Sequence, residues 1–256
     1  MDEVPVVKCK RSIPNMNNKQ EELYKILLLS IKKQKMDSYK IEEKVIYSGT
    51  KYGTTFDPDM SNIAIKFYSV IYGIEEEKLI SKSEGFIKGD TMNMSSPYYK
   101  PPRELTEQWD VDKHCLANFW ILPMNIGRTP VRYLSEEQKS YCKHSKKSRI
   151  HDYMDVFLKF LNDNIDYYFL EYNKYFDELK VSKENFVDEF SQAHFLKKGY
   201  YEINIVKEID KTTLRNGYDL WRNAIEERAR EIATSDKWEE LYDEFVNKQK
   251  SRIDLP

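Results

Sequence analysis

Apolar positions recur along most of the chain at helical spacing, three or four residues apart. Near the beginning, this pattern predicts an amphipathic helix from a cap at Asn17 or Asn18 to about Met36. A second helix is predicted to begin at residues 57–61 and to end at Gly73, because glycine favours the left-handed conformation that ends many helices. The apolar faces of these two helices are formed by Leu23, Ile26, Leu27, Ile63, Phe67, Val70 and Ile71.

Helical spacing also dominates the second half of the chain. It predicts a long, strongly aromatic helical region at about 150–180, a helix at about 182–197 and a last acidic helix at about 237–250. Between them, Trp221 and Arg228 share one face of another helical stretch. An arginine on an apolar face needs a carboxylate or carbonyl partner. Arg228 is therefore interpreted as a structural anchor rather than as a phosphate contact.

Two regions depart from helical spacing and predict a small β element, near residues 43–56 and 84–122. The most apolar stretch of the chain, residues 113–128, begins within the second region. The predicted fold class is therefore mainly α, formally α+β: a helical domain with a small β element. Because no repeat or low-complexity tract divides the chain, residues 1–256 are predicted to form a single domain. Residues 199–215 are the best candidate for an internal boundary.

Composition narrows the class of protein. The chain is 40% hydrophobic and 33% charged, which is typical of a globular protein with a polar surface. Its 41 Lys and Arg against 43 Asp and Glu give a net charge of −2, so the whole molecule carries no excess of positive charge for nucleic acid. Three scattered cysteines argue against a cysteine-rich zinc site and favour a reducing cytoplasm. No apolar run is long enough for a membrane span, so no membrane partner is expected.

A local excess of positive charge follows the apolar stretch, in a basic segment between residues 128 and 149. Clustered cations can contact several phosphates, which makes nucleic acid a candidate partner. The alternative is a solvated face on an exposed loop. The candidate phosphate contacts are Arg128, Arg132, Lys143, Lys146, Lys147 and Arg149.

Polar residues that can carry chemistry lie at the start of the apolar stretch and upstream of it. His114 and Asn118 are four residues apart, so they share a face in a helix and in a strand alike. Upstream, Gly89–Asn93 has the sequence of a tight, glycine-led turn, in which Asp90 can bind a metal, orient a histidine or cap a helix. The structural alternatives are an ordinary Asx turn at Asp90 and buried hydrogen bonds at His114 and Asn118.

These motifs resemble those of a group of uncharacterised bacterial proteins, which carry a G-D-T-[MI]-N turn followed by an H-x-[IL]-[GA]-N-F segment. In this chain the two motifs are Gly89–Asn93 and His114–Phe119. More distantly, the second motif resembles a segment of HNH (His-Me finger) nuclease domains, especially those of modification-dependent restriction systems. Trp221–Arg228 is similar to their W-x-x-x-I-x-x-R helix. The resemblance covers roughly residues 86–128 and 221–228.

The resemblance implies a protein that cleaves or binds nucleic acid, in a phage-defence or toxin setting. It implies catalytic roles for Asp90, His114 and Asn118. It also implies a divalent ion, Mg²⁺ or Mn²⁺, held by Asp90 and His114, that stabilises the leaving phosphate oxygen.

One departure from the nuclease pattern is Thr91, which stands where those enzymes carry the histidine that acts as general base. Threonine cannot act as a base near neutral pH. Either His144 or His151 supplies the base, or the site is inactive. The rival hypothesis is a non-catalytic regulator or inhibitor that contacts a protein partner. In that case the region Gly89–Arg128 is a structural core motif.

Overall fold

The structure is a computed structural model. It describes residues 16–29, 62–80, 87–91, 113–123, 161–196 and 211–248. Within these ranges the α-helices are α1 (Asn18–Leu27), α2 (Asn62–Tyr72), α3 (Glu76–Ile80), α4 (Ile165–Glu171), α5 (Asn173–Leu179), α6 (Phe186–Ala193), α7 (Lys211–Thr234) and α8 (Trp238–Tyr242). The strands are β1 (Ile87–Thr91) and β2 (Phe119–Pro123). The prediction of a mainly helical fold with a small β element is confirmed.

The ends of the first two helices follow from local sequence. The side chain of Asn17 accepts a hydrogen bond from the Gln20 backbone at 3.0 Å, and the Gln20 side chain accepts one from the Asn17 backbone at 3.0 Å. This capping box satisfies backbone donors that the first helical turn leaves free, and it confirms the predicted cap. α1 ends at Leu27, earlier than the predicted end near Met36. α2 ends as predicted at Gly73, which has a φ of +65°.

The two strands pair antiparallel, with Thr91 opposite Phe119 and Gly89 opposite Ile121. This pairing confirms the β element predicted within residues 84–122, whereas residues 43–56 lie outside the described ranges. Gly89, Asp90 and Thr91 were expected in a tight turn, and that expectation is wrong because all three belong to β1. All five residues of β2 are buried, which explains a continuous apolar run in place of polar alternation.

The long helical region predicted at about 150–180 is interrupted by turns at residues 164 and 172 within the described residues. α4 ends at Glu171, and Tyr172 adopts φ −124° and ψ 33°, outside the helical range, before α5 begins. α5 ends at Leu179, and the residue that caps it, Lys180, is in the left-handed conformation with a φ of 57°. The candidate boundary at residues 199–215 falls mostly outside the described ranges, and residues 211–215 form the first turn of α7.

The core surrounds β2. α7 packs against α1 and against the 3-10 turn Leu116–Asn118, and α1 packs against α8. Burying a large apolar side chain contributes about 1.5–3 kcal/mol. The largest fully buried side chains are Trp120, Arg228, Tyr68, Tyr168, Tyr175, Phe67, Phe119, Phe176 and Phe190. None of the described helices is long and apolar enough to cross a membrane.

Candidate functional site

His114 and Asn118, the residues that open the apolar stretch, are both buried in the core. His114 precedes a 3-10 turn, Leu116–Asn118, and Asn118 is its last residue. The turn connects directly to β2. The side-chain amide of Asn118 turns back and donates to the Lys113 carbonyl at 2.7 Å. The backbone N–H of Asn118 donates to the Cys115 carbonyl at 3.0 Å. Asn118 therefore holds the turn closed, which is a structural use of its amide group.

The register of the strands brings the upstream motif to the same place. Asp90 is opposite Trp120, and Thr91 is opposite Phe119, the residue that follows Asn118. The two motifs that the sequence placed about 25 residues apart are therefore adjacent along their backbones. The side chains of Asp90 and Thr91 lie outside the described part of the chain.

Arg228 reaches this turn from α7. Its side chain is only 2% exposed. Its Nη1 donates to the carbonyls of Ala117 and Phe119 at 2.5 and 2.8 Å, and its Nε donates to the His194 carbonyl at 2.7 Å. Burial lowers the pKa of Arg228, but a guanidinium stays protonated in proteins. The prediction that Arg228 is a structural anchor with a carboxylate or carbonyl partner is confirmed, and its partners here include three carbonyls.

Two residues, Asn118 and Arg228, thus fix the path of the backbone from residue 113 to residue 119. The carbonyls of Lys113 and Cys115 accept from Asn118, and those of Ala117 and Phe119 accept from Arg228. Every second carbonyl of the segment is therefore bonded by one of these two residues. Carbonyls inside a core are costly to leave without a donor, so both residues are needed to bury this turn.

A residue that the sequence analysis missed, His194, lies at the centre of the same cluster. It is fully buried, with Nδ1 2.9 Å from the Tyr72 hydroxyl and Nε2 3.0 Å from the Tyr175 hydroxyl. A signal existed in the spacing, because Phe186, Phe190 and His194 are each four residues apart on one helical face. A polar residue that continues an apolar face is a candidate for a buried hydrogen-bonded group.

The protonation of this cluster is set mainly by burial. Burial, and secondly the positive charge of Arg228, hold the pKa of His194 well below its ordinary value. Burial raises the pKa of Tyr72 to about 12, although Arg228 acts in the opposite direction. Burial also raises the pKa of Tyr175 well above its ordinary value. At neutral pH the imidazole is therefore uncharged and both phenols keep their protons.

Of the two metal ligands that the resemblance implies, Asp90 and His114, the side chain of Asp90 lies outside the described residues. Asn118 is fully buried, and the carbonyls on both sides of it already receive the cationic Arg228. A divalent ion beside Asn118 would therefore face an adjacent positive charge. Within the described ranges, no group of three or more His, Cys, Asp or Glu side chains is placed to hold a metal ion.

The candidate phosphate contacts lie outside the described residues, in the basic segment that starts at Arg128, five positions after the end of β2. Comparisons of the chain with protein-family models, curated proteins and solved structures gave no match. The site is therefore interpreted from its own chemistry.

Proposed function

We propose that this chain is a nucleic-acid-binding protein, degenerate in its relation to HNH-type nucleases, whose motif region is a scaffold rather than a catalytic centre. The observation that carries the proposal is the meeting of three separate motifs. β1 contains Gly89-Asp90-Thr91 and pairs with β2, which directly follows Asn118. Arg228, the last residue of the third motif, donates to carbonyls 111 and 109 residues earlier in the chain.

This meeting supports the resemblance, since a shared site requires the three motifs to touch. The contacts run through the motif residues themselves: Arg228 bonds the carbonyls of Ala117 and Phe119, on both sides of Asn118. Residues that share a site are brought together by the fold whatever their separation in sequence. The setting, phage defence or a toxin system, follows from the resemblance.

The state of the polar groups favours binding over cleavage. A general base or metal ligand must reach a water molecule or a phosphate oxygen. Asn118 is fully buried, and its side-chain amide donates to a backbone carbonyl. His114, four residues earlier, is also buried. Thr91 stands at the position of the missing base. A chain that kept the scaffold and lost the base is expected to bind without cutting.

The surface proposed for phosphate contact is the basic segment, residues 128–149. In sequence, the segment begins five positions after Pro123, the last residue of β2. Cations bound to phosphates release counterions from nucleic acid, and the affinity then falls steeply with salt. Salt dependence is accordingly the property that tests this surface.

A gel-shift titration of duplex DNA and of single-stranded RNA, repeated over a salt series, tests the binding. We expect the double variant Lys146→Glu, Lys147→Glu to bind at least about tenfold more weakly and to lower the salt slope by roughly two. The control, Lys25→Glu with Lys174→Glu, makes the same charge change at exposed helical positions and should bind like wild type. Equal weakening by both double variants would contradict a specific role for the basic segment.

Cleavage of plasmid DNA and RNA with Mg²⁺ or Mn²⁺ tests the scaffold role. We expect no cleavage by the wild-type protein. Cleavage that disappears in His114→Ala and Asn118→Ala variants with unchanged helical circular dichroism would restore the nuclease hypothesis. It would overturn the scaffold proposal and leave the binding result intact.

The second candidate function is a non-catalytic regulator or inhibitor that contacts a protein partner. It is favoured by one observation, the burial of both His114 and Asn118 within the core. A core motif of this kind needs no ligand at all. The gel shift separates the two candidates, because a protein-binding module should show no salt-dependent affinity for either DNA or RNA.

A further inference from the structure

The cluster around His194 forms one continuous chain of hydrogen bonds. Arg228 Nη2 donates to the Tyr72 hydroxyl at 3.3 Å, and that hydroxyl lies 2.9 Å from His194 Nδ1. On the other side of the ring, His194 Nε2 lies 3.0 Å from the Tyr175 hydroxyl, which donates to the Ile121 carbonyl at 2.9 Å. These hydrogen bonds connect four helices, α2, α5, the end of α6 and α7, to strand β2.

Counting the available protons favours one tautomer of His194. Tyr175 has a single hydroxyl proton and gives it to the Ile121 carbonyl, so its oxygen must accept the proton of His194 Nε2. The other ring nitrogen, Nδ1, then carries no proton and accepts from the Tyr72 hydroxyl. The neutral Nε2–H form of His194 keeps all of these bonds, whereas in the other tautomer the Tyr175 hydroxyl must leave the Ile121 carbonyl in order to donate to Nε2.

A second proton on the His194 ring would break this series of hydrogen bonds. Protonated Nδ1 becomes a donor, so the Tyr72 hydroxyl loses its acceptor. The new charge would also lie next to Arg228, whose Nε donates to the backbone carbonyl of His194 itself. Among the described residues, the titratable groups that face His194 are Tyr72 from α2, Tyr175 from α5 and Arg228 from α7. The remaining ring contacts, Trp120 and Phe190, carry no charge that could compensate.

We propose that His194 is an acid-sensitive latch, which releases strand β2 and the turn at residues 113–119 from the helices when it takes up a proton. The latch acts at this position because its partners are also the residues that hold the segment. Tyr175 bonds the Ile121 carbonyl within β2, and Arg228 bonds the carbonyls of Ala117 and Phe119. The proposal is independent of nucleic-acid binding.

The direction of the effect follows from linkage. The buried ring is neutral in the closed state, whereas a solvent-exposed histidine titrates near pH 6.5. Between that pH and the much lower pKa of the closed state, only the open state takes up the proton. The opening equilibrium should therefore grow by about tenfold for each pH unit below roughly 6.5, and it should be insensitive to pH above it.

Cys115 can report this opening, because its thiol is buried next to the same turn and is shielded from reagents while the turn is closed. The chain with Cys9→Ser and Cys142→Ser keeps Cys115 as its single thiol. Labelling by 4,4′-dithiodipyridine, which reacts with thiols in mild acid, is measured from pH 7.5 to 4.5 relative to the unfolded chain. We expect protection of Cys115 to fall with pH as stated, while helical circular dichroism stays constant.

The His194→Gln variant is the matched control, because glutamine offers a donor and an acceptor but takes up no proton. Its Cys115 protection should be independent of pH. Three results would overturn the latch: protection in wild type that does not change with pH, the same pH slope in both proteins, or protection lost only together with the helical signal. The last result would mean that acid unfolds the whole molecule.

A measurement on the unmodified chain keeps the proposal testable if His194→Gln does not fold. The ¹⁵N chemical shifts of the His194 ring distinguish its tautomers at pH 7.5. We expect the Nε2–H tautomer, as the proton count requires. Observation of the Nδ1–H tautomer, or of a charged ring at that pH, would contradict the arrangement on which the latch depends.

Discussion

A single guanidinium, that of Arg228, joins α7 to the turn before β2 and to the end of α6. It donates to three backbone carbonyls and to one tyrosine hydroxyl. A planar fork can bond several carbonyls at fixed angles, whereas an ammonium group is a point charge on a flexible stem. The contribution of Arg228 therefore depends on its shape as much as on its charge.

We expect Arg228→Lys to lower the free energy of unfolding by about 3–5 kcal/mol, because the charge stays buried while most of its carbonyl partners lose their donor. Urea unfolding followed by circular dichroism measures the change. Arg222→Lys is the matched control on the same helix: Arg222 is exposed and pairs with Glu226 at 3.3 Å. It should change stability by less than about 0.5 kcal/mol. Similar effects of the two substitutions would contradict the anchor role.

Single residues also show what the sequence could and could not predict. The position of Arg228 on an apolar face was enough to predict a buried anchor. The partners of Arg228 were not predictable, because they are backbone carbonyls, which every residue has, and they lie 34, 109 and 111 positions earlier in the chain. His194 continues the face of Phe186 and Phe190, but its partners Tyr72 and Tyr175 become neighbours only through tertiary packing.

Helix ends are determined locally, and two of them adopt the same backbone conformation with different residues. Gly73 ends α2 with a φ of +65°, and Lys180 ends α5 with a φ of 57°. The left-handed conformation costs roughly 1–2 kcal/mol for a residue with a Cβ and almost nothing for glycine. α5 therefore carries strain at its end that α2 avoids.

We expect Lys180→Gly to stabilise the protein by about 0.5–1 kcal/mol, because the relief of strain exceeds the added entropy of the unfolded chain. Lys174→Gly, at an exposed position within α5, should instead destabilise it by about 0.5–1 kcal/mol. Thermal and urea unfolding of both variants give the comparison. A loss of stability in Lys180→Gly would show that the left-handed conformation at this position carries no strain.

Elements were predictable where their signals are local. The cap at Asn17 and the stop at Gly73 were found because one side chain or one missing Cβ decides them. The break at Tyr172 was missed because the apolar spacing runs through it without interruption. β1 was taken for a turn because Gly89-Asp90-Thr91 has turn composition, and pairing with the buried β2 overrides that preference.

At the scale of the whole molecule, the first and last described helices close the core together. The Tyr242 hydroxyl donates to the Glu22 carboxylate at 2.8 Å, and the ammonium of Lys19 lies 5.5 Å from the centre of the Tyr242 ring. Leu23 and Leu27 of α1 are fully buried, with α7 and α8 packed on that helix. The mainly helical class was predictable from spacing, but this closure was not, because it joins residues about 220 positions apart.

The long separation between Arg228 and its carbonyl partners has a consequence during synthesis. At translation rates of roughly 5–20 residues per second, the ribosome makes Arg228 about 5–20 s after Ala117, which lies 111 positions earlier. Throughout that interval an entirely apolar strand exists without the residue that completes its burial. We expect Cys115 in stalled nascent chains to remain open to thiol reagents until Arg228 has left the exit tunnel, and protection at shorter lengths would contradict this. Until then, the nascent segment exposes apolar surface of the kind that favours aggregation.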